Sequence, residues 1–176
     1  MTLDECQRIT GCAWYLEHDN SVRPQHLRVR HCALAQMQEW AQRLWKSLEA
    51  ELRRARKNYL SYAEVGGWAV SEERRATTEG LLLALAGYSL GGICGGCLGL
   101  TTATVRHCSS SILRKLGGVP LEVGGMTVPS YYDPQYNCEM EILRFDSRTP
   151  SDKYADLVHL LREKMTSIPV IAPHIS

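Results

Sequence analysis

AEVGGWAV (63–70), SEERRATTEGLLLALAGYSLGGICGG (71–96), CLGLTTATV (97–105) and RHCSSSILRKLGG (106–118) follow one another without a break, and their reading decides the fold. They read as strand, helix, strand, helix. The first strand carries one acid, Glu64, and a glycine pair, Gly66-Gly67, among apolar residues. Ser71 sits where an N-cap belongs, with Glu72 and Glu73 in the first turn, where the helix dipole favours negative charge. A strand bent by glycines and feeding a capped helix offers backbone N–H groups at a cleft. Such a cleft suits a polarised carbonyl or a phosphate.

The rest of the chain extends this pattern. Residues 8–17 read as a strand and 18–24 as a turn around Asp19-Asn20-Ser21. Arg23, His26, Arg28, Arg30 and His31 form a basic run, read as a solvated face. Residues 32–57 read as one helix, because Leu34, Met37, Ala41, Leu44, Leu48 and Leu52 recur at helical steps. Residues 119–128 predict a hairpin or two short strands around Gly124-Gly125, and 129–138 a loop that holds Tyr131, Tyr132 and Tyr136. Residues 139–147 read as a strand. Pro150-Ser151-Asp152 opens a last helix, with a short apolar tail from Pro169 as a further strand. Alternating short strands and helices predict an α/β (α+β) architecture, a mixed sheet covered by helices, in one domain over the 176 residues.

Composition narrows the function. A formal net charge of +1 excludes a broadly basic nucleic-acid protein. Seven cysteines are an odd number and predict free thiols in a reducing, cytoplasmic setting. MTLDECQRIT shows no apolar core after a basic start, so no secretory leader is read. Residues 81–105 carry no charge and are long enough to span a bilayer. Gly91-Gly92 and Gly95-Gly96 break the run, and it reads instead as a buried helix followed by a buried strand, with no membrane span.

Several motifs lead nowhere specific. Cys94-Gly-Gly-Cys97 has a metal or redox spacing but no second pair, so structural thiols and no metal are expected. The glycines of 91–99 match neither nucleotide-binding pattern. Ser109-Ser110-Ser111 after His107 read as a helix cap, not a nucleophile. Glu64 stays open. Its bland reading is a salt bridge to Arg74 or Arg144, and its functional reading is a general base.

AEVGGWAV, Arg74-Arg75, TATVRHCSSSILRKLGG, YYDPQYNCEMEILRFDS and the following SDKY, in this order and spacing, resemble the long-chain N-acyl amino acid synthases over residues 62–171. The resemblance implies a GNAT-like fold related to acyl-homoserine-lactone synthases. It implies an acyl carrier protein as donor, its fatty acyl group held as a thioester on the phosphopantetheine arm, with no tightly bound cofactor. The acceptor is the α-amine of an amino acid, with tyrosine the best-known case. The match weakens before Tyr62, and residues 71–78 lack the glycine loop that holds the pyrophosphate of coenzyme A, which suits a carrier-borne donor.

Together these readings give Glu64 the role of base, and they give the backbone of Gly66, Gly67 and Trp68 the oxyanion. Ala69, Val70, Leu100, Thr102 and Thr104 are expected along the pantetheine and acyl chain. Arg74 and Arg75 are expected at the carrier, with Arg106, Arg114, Lys115, Arg53, Arg54 and Arg56 as further candidates. The rival readings are an acyl-homoserine-lactone synthase, a coenzyme A-dependent N-acetyltransferase, and a non-catalytic lipid- or protein-binding module.

Overall fold

The computed structural model describes residues 1–167 apart from Ala76 and His107. In chain order the strands are β1 (Thr2–Leu3), β2 (Ile9–His18), β3 (Ser61–Val70), β4 (Cys97–Thr104), β5 (Val119–Pro120), β6 (Glu122–Val123), β7 (Met126–Thr127), β8 (Tyr131–Asp133) and β9 (Cys138–Asp146). The helices are α1 (Ala33–Gln36), α2 (Gln38–Lys57), α3 (Glu79–Ile93), α4 (Ser109–Lys115) and α5 (Asp152–Thr166). Seven strands form one sheet in the order β1-β2-β3-β4-β9-β5, with β8 also on β9. β3 and β4 are parallel, and the other pairs are antiparallel. The expected mixed sheet flanked by helices is present, consistent with a GNAT-like α+β fold.

Strand alternation sorts side chains to two faces. Tyr62, Leu98, Leu100 and Ile142 point into one core with Leu44, Leu48 and Leu52 of α2 and Leu27, Val29 and Leu34 of the segment before it. Ala63, Val65, Leu143 and Phe145 point into a second core with Ala84, Leu85 and Tyr88 of α3 and Val158 of α5. α3 is apolar around its whole circumference, since it lies between the sheet and α5. Ser89 of α3 donates to the Val158 carbonyl of α5 at 3.1 Å. No helix among the described residues is long and apolar enough to cross a membrane.

Four sequence readings change. The helix at 32–57 is two helices: Met37 is extended (φ −76°, ψ 126°), and the phase resets there. Leu34 and Leu44 are both buried as a result, while Met37 faces solvent. The helix read from Ser71 begins eight residues later, at Glu79. Ser71 precedes a single 3-10 turn, Glu72–Arg74, and its hydroxyl caps nothing. The tyrosine loop is mostly the hairpin β8–β9, with Tyr131 buried and Tyr132 and Tyr136 exposed. Ser109 does not cap α4: its hydroxyl bonds the backbone N–H and C=O of Thr104, each at 3.0 Å. The expected hairpin at 124–125 forms as β6–β7, both glycines taking positive φ (57° and 79°) as a tight turn needs. The reading of a strand from Pro169, and His107 itself, lie outside the described residues.

Gly99, in the middle of β4, faces Phe145 and the Ala63 carbonyl. An added Cβ would sit 2.4 Å from that carbonyl oxygen and 2.5 Å from the ring. Gly99→Ala should therefore cost about 1–3 kcal/mol by urea unfolding. Gly80→Ala, where nothing lies within 4 Å, should be neutral or stabilising by up to about 1 kcal/mol.

Candidate functional site

The parallel pairing of β3 with β4 runs from Ser61↔Cys97 to Val65↔Thr101 and ends there. Both strands continue. β3 follows β2 as far as Val70, and β4 follows β9 as far as Thr104. Beyond Val65 and Thr101 the two strands part, and the gap opens at their C-terminal ends, where parallel sheets bind ligands.

A bulge in β3 accompanies the parting. Cys12 faces Ala69 and Trp14 faces Gly66, so Ala13 alone opposes Gly67 and Trp68. Gly67 takes φ +62°, a conformation costly for other residues. The extra residue bends the strand and strengthens its twist. The glycine pair has a second cause. The Trp14 indole lies against it, and a Cβ at Gly66 or Gly67 would come within 2.6 or 2.4 Å of that ring.

An apolar crevice lies between the parting strands and α3. Val65, Trp68, Gly87, Tyr88, Thr101 and Phe145 are among its walls. Trp68 spans the gap, its indole N–H 3.4 Å from the Thr101 hydroxyl. Free space inside is about 10 Å³, room for one water, so a fatty chain enters only if these side chains move. Only part of the uncharged 81–105 segment lines it.

Glu64 lies on the opposite face and is 3% exposed. One carboxylate oxygen accepts the Val29 N–H at 3.0 Å; the other accepts the Arg28 N–H at 2.9 Å and lies 3.0 Å from His18 Nε2. An ionised carboxylate only accepts, so the imidazole donates in this contact when its proton is on Nε2. The two amides open the 3-10 turn Arg28–His31, where an anion is favoured. Glu64 is thus an anchor holding that turn to the sheet, and its oxygens are taken. This corrects the expectation of a free general base. It also corrects the expected partner, because Arg144 pairs with Glu51 at 3.1 Å and Arg74 lies 3.8 Å from Glu79.

Other expected residues divide. Ala69 and Val70 lie on the outer part of β3, and Thr102 and Thr104 on the outer part of β4, all beside the gap and not fully buried. Leu100 pairs with Glu64 before the strands part and is 1% exposed in the first core, so it does not line the crevice; its neighbour Thr101 does. Sequence alternation could have found Thr101, because it shares a face with Gly99 and Ala103.

The arginines divide as well. Arg74 and Arg75 follow the C-terminal end of β3, and Arg106, Arg114 and Lys115 follow that of β4. Arg75, Arg106 and Lys115 are exposed, whereas Arg114 is held by Glu141 at 2.9 Å. Arg114, Lys115, Cys108 and Val105 border a shallow depression of about 500 Å³. Arg53, Arg54 and Arg56 lie at the other end of the sheet, where α2 leads into β3. Arg54 pairs with Glu51, and Arg56 donates to the carbonyls of Asn20 and Val22. They do not flank the gap, which removes them from the expected carrier contact.

Glu79 opens α3 and its side chain is held by β1 and β2. Glu79 accepts from the hydroxyls of Thr10 and Thr2, which hold its carboxyl below the usual range. All seven thiols are free. Burial pushes the Cys97 and Cys32 thiols up, and Cys97 lies 3.4 Å from the Tyr15 hydroxyl. Among the described residues no group of three His, Cys, Asp or Glu side chains could hold a metal ion. Compared with protein-family models, curated proteins and solved structures, the chain matches none.

Two measurements check this geometry. Glu64→Gln turns one acceptor into a donor facing a buried N–H, and should lower stability by about 1–3 kcal/mol by chemical denaturation. A variant as stable as the parent would show that Glu64 anchors nothing. Alkylation of the native protein near neutral pH should modify the exposed Cys6, Cys12, Cys94 and Cys108 and spare Cys32, Cys97 and Cys138, read by peptide mass spectrometry.

Proposed function

We propose that this protein is an N-acyltransferase that moves a fatty acyl group from a carrier-protein thioester to the α-amine of an amino acid, tyrosine foremost. The observation that carries the reading is the parallel pair β3/β4 parting after Val65 and Thr101, with an apolar crevice in the gap. A strand edge freed in this way leaves backbone N–H and C=O groups to pair with the amides of a phosphopantetheine arm. The thioester carbonyl would lie at the Gly66–Trp68 bulge, whose N–H groups would steady the tetrahedral oxyanion. The neutral amine attacks the carbonyl carbon, the C–S bond breaks, and the leaving pantetheine thiolate takes the proton that the nitrogen sheds, giving amide and free thiol; no acyl-enzyme forms. Glu64 serves as a positioning residue in this scheme.

Exposed Arg75 follows β3, and exposed Arg106 and Lys115 follow β4, the two strands that part. They suit an acidic carrier and the phosphate of its arm. A cytoplasmic setting follows from that partner. The acid Glu79 in the first turn of α3 argues against free coenzyme A as donor, since a pyrophosphate there would meet a like charge.

Expression in a bacterial host followed by mass spectrometry of the lipid extract tests the reading. N-acyl amino acids should accumulate. Acyl-homoserine lactones in their place would assign the lactone synthase reaction, and an unchanged extract would point to a non-catalytic module. Gly87→Ala provides a structural control. Its Cβ would meet Val65 and Trp68 at the ordinary distances of 3.5 and 3.7 Å, so the fold should be kept or stabilised by about 0.5–1 kcal/mol. The narrower crevice should shift the products to shorter chains or cut their yield.

A further inference from the structure

The basic run Arg23–His31 is exposed wherever it is charged: Arg23, His26, Arg28, Arg30 and His31 face out, while Val22, Pro24, Leu27 and Val29 are buried. Arg28 differs from its neighbours. Its backbone N–H is held by Glu64, and its guanidinium lies over the Trp14 ring at 5.0 Å from the centroid. Trp14 is itself seated on Gly66-Gly67. A buried carboxylate, an indole and a glycine bulge thus fix one guanidinium beside the place where β3 and β4 part. Among the described residues no carboxylate pairs with it. A guanidinium held over an indole and paired with no carboxylate has N–H donors to offer, and a guanidinium takes a carboxylate in two parallel bonds.

We infer that Arg28, braced by Trp14, receives the α-carboxylate of the acceptor amino acid. This rests on the proposed acyl transfer and names how that site chooses its acceptor. Arg28 and Gly66-Gly67 contact the same indole, so an acceptor held at Arg28 lies on the Trp14 side of the bulge. Donor and acceptor then approach the bulge from opposite faces of the sheet: the crevice lies on the α3 face, and Trp14, Glu64 and Arg28 on the α2 face. The ligand class is a free α-amino acid, and an amine or amino amide lacking the carboxylate is disfavoured.

Acylation of tyrosine, tyrosinamide and tyramine by a purified acyl carrier thioester tests this, together with a titration that needs no turnover. In the titration the Trp14 indole N–H resonance is followed as an N-acyl amino acid or its amide is added. The parent should favour tyrosine over both neutral analogues by about tenfold to a hundredfold in kcat/KM, mainly through KM. Arg28→Met should bring that ratio near one, and Arg28→Lys should restore part of it. Arg28 is exposed, so an unchanged melting temperature should accompany both variants. A ratio that Arg28→Met leaves intact while transfer continues overturns the inference and leaves acyl transfer standing. A titration in which the N-acyl amino acid, but not its amide, shifts Trp14 only when Arg28 is present, with no thioester consumed, keeps the carboxylate site and removes the transfer. No Arg28-dependent shift and no Arg28-dependent preference overturns the site.

Discussion

A single buried carboxylate ties the two halves of this protein together. Glu64 is on a strand in the middle of the sheet, and an ion left bare there would cost several kcal/mol. It is made tolerable by two backbone amides and an imidazole, all from segments that precede it by 35 residues or more. Those bonds pull the 3-10 turn at Arg28–His31 onto the sheet. The turn leads into α1 and α2, which bury Leu34, Leu44, Leu48 and Leu52 over the same face. One acid thus sets where the first layer of helices begins.

The second constraint is the glycine bulge beside it. An unbroken strand would continue its parallel ladder with β4, and no gap would exist. At Gly67 the positive φ and the extra residue turn β3 towards β2, while β4 stays with β9. Trp14 fills the space that the missing Cβ atoms leave on one face, and Trp68 spans the gap on the other. The bulge therefore makes both the crevice and the aromatic seat beneath Arg28. The crevice is tightly filled, because indole and phenol side chains occupy the apolar space between two diverging strands.

Much of the architecture was legible in the residues. The strand–helix–strand–helix order from Ala63 to Gly118 follows from apolar runs punctuated by glycine, and the hairpin at Gly124-Gly125 follows from turn chemistry. Boundaries were less legible. Ser71-Glu72-Glu73 has the composition of a helix start, yet it forms one 3-10 turn, because β3 runs on with β2 up to Val70 and the Ser71 N–H bonds Thr10. Met37 fits the helical stripe of α2, yet its extended backbone marks the break between α1 and α2. The basic run at 23–31 looked like an ordinary wet surface. Its charges are indeed outside, and nothing in the local pattern distinguishes Arg28 from Arg30.

By itself the sequence determined what depends on near neighbours: the elements, their order, and a glycine-bent strand with one acid as the centre of interest. Only the tertiary structure decided what that acid does. Whether a carboxylate in a strand is free or fully occupied depends on groups distant in the chain, here His18, Arg28 and Val29. The pairing that makes Arg28 distinctive is likewise a contact between β2 and a turn, set by which side chains the sheet brings to one face. Such contacts arise when the chain collapses around its two cores, and no spacing within either segment encodes them.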